Sequence, residues 1–86
     1  MIPLIRNAKN SDASSIMLHN CLMASETENK ELDKEVVLAG VNAVINDSSK
    51  GFYLVAEMDD EVVGNLMITY EWSDWRNNNI WWIQRA

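Results

Sequence analysis

Cysteine, glycine, histidine and positive charge are all scarce in this sequence. Cys21 is the only cysteine in 86 residues. No disulfide can close within the chain, and a reducing, cytoplasmic setting is the expectation. Lysine and arginine number 7 against 13 acidic residues, a net charge of −6. The basic residues are scattered from Arg6 to Arg85. Neutralising phosphates takes clustered cations, so nucleic acid is not an expected partner. The three glycines, Gly40, Gly51 and Gly64, form no phosphate-binding pattern. His19, the single histidine, has no companion at metal or triad spacing, so no metal site is expected. No apolar run approaches the ~20 residues of a bilayer span. The start, Met1 to Arg6, lacks the charged region and long apolar stretch of a signal peptide. A soluble chain without membrane contact is expected.

What is present is an ordinary globular mixture, 48% hydrophobic and 23% charged, with room for one domain and one core. Ile2 to Ala8 reads as a short strand, with Pro3 near its start, where an edge strand tolerates it. Asn10-Ser11-Asp12 offers capping oxygens. Ala13, Ile16, Met17, Cys21 and Ala24 follow at helical spacing, predicting a helix over roughly Asp12–Ala24. Cys21 falls on that apolar stripe and reads as a buried, inert thiol. The polar run Ser25 to Glu31 breaks the pattern and reads as a loop. Either a Ser25-x-x-Glu28 capping box or Asp33 opens the next helix, which spans roughly Asp33–Asn46. Its apolar stripe is Val37, Val41, Val44 and Ile45. Asn46 to Gly51 is a run of turn formers.

Beyond Gly51 the period becomes two. Phe52–Met58 and Glu61–Tyr70 read as strands joined at Asp59-Asp60. Gly64 marks a bulge or a close backbone approach. Trp72 to Asn79 is expected to be a loop, and Ile80–Gln84 a last strand. The order β-α-α-β-β-β predicts a mixed α/β chain of the α+β kind, a mostly antiparallel sheet with two helices. Both sides of the hairpin are apolar. Phe52, Leu54, Ala56 and Met58 alternate with Tyr53 and Val55, and Val62, Leu66 and Ile68 with Val63 and Met67. Such strands have cover on both faces of their sheet, whereas two short-linked helices most simply cover one.

The run Tyr53-Leu54-Val55-Ala56-Glu57-Met58-Asp59-Asp60-Glu61-Val62-Val63-Gly64 resembles the hairpin of the GNAT N-acetyltransferase family. Ile5-Arg6-Asn7-Ala8 followed by Asp12 looks like that family's first strand and the start of its first helix. Ile80-Trp81-Trp82-Ile83-Gln84 is similar to a fourth strand of the family. The resemblance covers nearly all 86 residues and implies a single partial domain, the N-terminal half of an acyl-CoA N-acyltransferase fold. It further implies acetyl transfer from acetyl-CoA to an amine. In the family, acetyl-CoA lies between the fourth and fifth strands, its pyrophosphate on a glycine-rich loop that opens a helix. That loop has no counterpart here. The resemblance therefore implies a truncated acetyltransferase, not catalytic alone, with no acetyl-CoA site and no catalytic residue of its own.

Candidate site residues follow from the same comparison. Glu71 and Asp74 stand where family members bring acceptor-side carboxylates, suited to attracting a cationic amine. Trp72, Trp75, Trp81 and Trp82 are four tryptophans within eleven residues. They are read either as an acceptor pocket, with Trp72, Trp75 and Trp82 as its candidates, or as core and interface packing. Two further expectations are a self-associating homodimer, through the exposed sheet face or the fourth-strand edge, and a split enzyme completed by a second polypeptide.

Overall fold

The structure is a computed structural model that describes residues 2–85. Its elements are β1 (Leu4–Asn7), a short 3-10 turn (Asn10–Asp12), α1 (Ala13–Glu28), α2 (Lys34–Asn46), β2 (Phe52–Met58), β3 (Glu61–Ser73) and β4 (Asn78–Arg85). The predicted order and the α+β class hold. The four strands form one antiparallel sheet in the order β1-β2-β3-β4.

Helix α1 runs four residues beyond the expected Ala24, over the first four residues of the polar run read as a loop. That run is solvated rather than helix-breaking. Thr27 Oγ1 donates to the Met23 carbonyl at 2.7 Å. The helix stops at Asn29, which adopts the left-handed conformation at φ 52° that asparagine tolerates better than most residues. Of the two proposed caps for α2, Asp33 is the one used. Its side chain accepts from the backbone N–H of Glu35 and Val36, while Ser25 lies inside α1.

The β2–β3 turn is the two-residue connection expected, with Asp59 and Asp60 at φ 52° and 62°. Paired positive φ values give the turn the twist of its flanking strands. Half of the expected loop from Trp72 to Asn79 is strand. Trp72 pairs with Asn79 and Ser73 with Asn78, leaving a four-residue turn over 74–77. Glycine is required at Gly51. A Cβ there would stand 2.2 Å from the Ile68 carbonyl oxygen, and its φ is 144°. Gly64 is different: the bulge lies beside it. Ala56 pairs with Gly64 and Glu57 with Val62, so Val63 has no partner.

Register assigns the paired strand residues to faces. Tyr53, Val55 and Met67 look toward the helices, where Ala13 and Ile16 of α1 and Val41 of α2 close the core. Ile16 and Val55 are its fully buried large side chains. The predicted stripe Val37, Val41, Val44, Ile45 is the face of α2 that packs there. On α1 the buried line is Ala13, Ile16, Asn20 and Ala24, and Cys21 is only half-buried beside it. Ile5, Phe52, Leu54, Leu66, Trp81 and Ile83 share the other face. The helices leave that face without a layer of its own, and Ile83 is 65% exposed.

Candidate functional site

The β3–β4 hairpin carries the residues singled out in the sequence, and its register separates them. Glu71 pairs with Ile80 and Thr69 with Trp82, which puts Glu71 and Trp82 together on the helix-side face. Trp72 and Trp81 lie on the opposite face, while Asp74 and Trp75 occupy the turn. Trp75, at the tip, is 96% exposed. The structure therefore does not gather Trp72, Trp75 and Trp82 into one aromatic wall. It brings together one carboxylate and one indole, Glu71 and Trp82. That pair suits a cationic amine, through charge on one side and an aromatic face on the other.

Trp81 has a packing role. Its ring meets Phe52 edge-on at 5.3 Å between centroids and lies 6.4 Å from Tyr70, with Phe52 and Tyr70 at 6.2 Å. Offset or edge-on contacts of this kind suit the charge distribution of aromatic rings. They give the open face one ordered aromatic cluster.

Next to Trp82 the ladder is interrupted. Met67 pairs with Arg85 and Ile68 with Ile83, so Gln84 is the extra residue of a bulge in β4. A bulge leaves its extra residue unpaired in the ladder and re-aims the backbone there. The Gln84 side-chain amide donates across to Thr69 Oγ1. Nothing in the sequence marks this bulge, because Gln84 is neither glycine nor proline.

At the opposite sheet edge, Arg6 ties three elements together. Its Nη1 and Nη2 donate to the two oxygens of Asp12 at 2.7 and 3.0 Å, and its Nε and Nη2 to Glu57 Oε1 at 3.0 and 2.7 Å. The Lys9 backbone N–H also donates to Asp12 Oδ2, at 2.7 Å. The Arg6 hydrogen bonds hold the Asp12 carboxyl below its ordinary value, and Asp12 and Glu57 in turn push the Arg6 guanidinium upward. The cluster joins β1, the 3-10 turn and β2. Its donors are used up internally, so it serves the fold.

Each helix start already carries a carboxylate: Asp12 lies directly before α1, and Asp33 occupies the free N–H groups of α2. At α2 an anion would meet like charge where a phosphate-binding helix offers bare N–H groups, whereas the Asp12 carboxylate is engaged by Arg6 and makes no cap on α1. Gly40 lies within α2, Gly51 precedes β2 and Gly64 is in β3, so no glycine opens a helix. Among the described residues, no three His, Cys, Asp or Glu side chains are grouped to hold a metal ion. No helix among them is long and apolar enough to cross a membrane.

No family model matches the chain, and no curated protein does. Among solved structures, a possible acetyltransferase from Clostridium difficile 630 is similar to it, with a TM-score of 0.93 and 47% identity. The match covers 99% of this chain and 56% of that one, so the chain spans a little over half the length of its relative. Such identity across the whole chain exceeds a likeness of fold. The chain is homologous to part of a possible acetyltransferase, and its two helices and four strands are consistent with a partial GNAT fold.

Proposed function

We propose that this chain supplies the acceptor-side part of an acetyltransferase, in which an acetyl group passes from acetyl-CoA to an amine. The observation that carries this reading is the 47% identity over 99% of the chain to a possible acetyltransferase. Glu71 and Trp82, together on the helix-side face, receive the amine as a cation. The β4 bulge at Gln84 lies beside them, and backbone turned out of a ladder offers the kind of N–H donor that a developing oxyanion requires. The coenzyme's phosphates are held outside these 86 residues, since no glycine opens either helix and Asp33 occupies the N–H groups that start α2.

Two measurements test this division of labour. Acetyl-CoA at about 1 mM should give the chain no saturable thermal shift, because a ligand stabilises only a native state that binds it. A chimera carrying these 86 residues in place of the matched segment of the Clostridium difficile protein should release free thiol from acetyl-CoA when given an amine. A saturable shift for the chain alone would overturn the division. A folded chimera inert toward all amines, beside an active parent, would overturn the acetyl-transfer reading.

A second reading, self-association, is favoured by the uncovered sheet face, where Trp81 and Ile83 are 64% and 65% exposed. A dimer would remove that apolar surface from water. Light scattering at high micromolar concentration tests it: a dimer mass supports the reading, and a well-folded monomer sinks it.

A further inference from the structure

Between α1 and α2, over Tyr53 and Met67 of the sheet, lies a cleft of about 590 Å³. Two of its lining residues are poorly explained by folding alone. Asn20 of α1 is 5% exposed, and its Oδ1 is buried with no hydrogen-bond partner in the protein. Buried acceptors are normally paired, because an unmade bond leaves the whole cost of desolvation standing. Gly40 is the other. It sits inside α2, where glycine is the worst helix former except proline. A Cβ at this position would meet nothing within 4 Å, and its φ is not left-handed. Neither backbone conformation nor packing requires glycine there.

Both residues line the same space, Gly40 at its solvent-exposed edge. A polar acceptor without a partner and a side chain withheld from a helix together describe a binding site. Its chemistry can be read from the walls. Met23, Ala24, Val37 and Val41 are apolar. The charged residues that line the cleft are Glu28 and Lys30, one of each sign and both exposed, so the lining carries no net charge to select an ion. The Asn20 oxygen is itself sealed from solvent, so binding requires the amide to turn about its broad, roughly two-fold terminal torsion and bring the oxygen to the cleft.

We propose that the α1–α2 cleft binds a small uncharged molecule with an apolar body and an N–H group, which donates to Asn20 Oδ1 while Gly40 leaves room for the body. Glu71, Trp82 and Gln84 do not line this cleft. The proposal therefore stands apart from the acetyl-transfer reading and survives its failure.

Indole is the probe, and benzofuran, nearly the same shape with no N–H, is its control. In a nitrogen-15 NMR titration of the chain, indole should move the Asn20 side-chain amide and the Gly40 backbone amide saturably. Benzofuran should bind about tenfold more weakly, the worth of one buried hydrogen bond. Gly40→Leu should keep the helical circular dichroism and weaken indole at least about tenfold, because the new side chain occupies the cleft. Asn20→Leu removes the acceptor and should bind the two probes equally. No saturable movement at Asn20 and Gly40 with indole at about 1 mM, or equal affinity for both probes in the unmodified chain, overturns the proposal. Full indole affinity in a folded Gly40→Leu protein does so too. The two-probe comparison needs no variant, so it decides the matter even where a substitution fails to fold.

Discussion

Arg6 holds Asp12 through both guanidinium nitrogens, at 2.7 and 3.0 Å, and fastens the turn before α1 to the first strand. The pair is shielded, with side-chain exposures of 18% and 8%. The carboxyl of Asp12 is held low mainly by the Arg6 hydrogen bonds, against a smaller upward push from burial. A carboxyl held lower in the folded state than in the unfolded one contributes stability that is complete above the unfolded value, near pH 4. That contribution is lost as pH falls through the lower folded value.

Stability should therefore drop as pH falls below about 4, partly through Asp12. Urea midpoints measured from pH 7 down to pH 2 should fall more steeply for the parent chain than for Asp12→Asn. Asp47, held low by hydrogen bonds from Ser49, leaves some acid sensitivity in both. At pH 7, Asp12→Asn should cost about 1–3 kcal/mol, the range for leaving a shielded donor set without its charged partner. Parallel acid limbs for the two proteins would remove Asp12 from this role.

Alanine at two glycines should act in opposite directions. At Gly51 the new Cβ would lie 2.2 Å from the Ile68 carbonyl oxygen, on a backbone with φ 144°, so β2 and β3 must shift apart or the turn must change. Gly51→Ala should destabilise by about 1–3 kcal/mol. Gly40→Ala adds a methyl into open space within a helix and should stabilise by about 0.5–1 kcal/mol. Thermal unfolding of the two variants beside the parent checks both signs in one experiment.

The sequence was legible where one local rule governs an element. Val37, Val41, Val44 and Ile45 repeat at helical spacing, and that face is the one α2 packs. Asp59-Asp60 sits between two alternating runs and turns as a two-residue hairpin does. The apolar content on both sides of β2 and β3 foretold a sheet whose second face the helices leave open. Legibility failed where long-range pairing decides. Ser25 to Glu28 is polar only because that end of α1 is solvated. Trp72 to Asn79 looked like a loop because aromatic, acidic and amide residues alternate there. Cross-strand partners nevertheless extend the ladder up to a turn of four residues. For the candidate site the limit was parity. Trp72 and Trp82 fall on opposite faces because of a register that sequence spacing across a turn does not determine.

Asp33 should be worth about 1 kcal/mol to α2 as its cap. Its Oδ1 accepts from Glu35 N–H at 2.9 Å and Val36 N–H at 3.4 Å, and Asp33→Ala leaves both donors to solvent. Asp33→Asn keeps the acceptor and should recover most of the loss. The difference between these two variants separates capping from simple charge. If both lose equally, the interaction of a full charge with the helix end is what matters.

Glu71 and Trp82 share the helix-side face of the β3–β4 hairpin, and the acetyl-transfer reading assigns them the amine. Both are exposed, so replacing either should leave the fold within about 0.5 kcal/mol of the parent. In the active chimera, Glu71→Gln should raise KM for a cationic amine several-fold, and added salt should narrow the difference, since screening weakens an exposed charge. Trp72→Ala, on the other face of the same strand, should leave KM unchanged. Comparable rises in KM for Trp72→Ala and Glu71→Gln would mean that the hairpin as a whole, rather than its helix-side face, meets the acceptor.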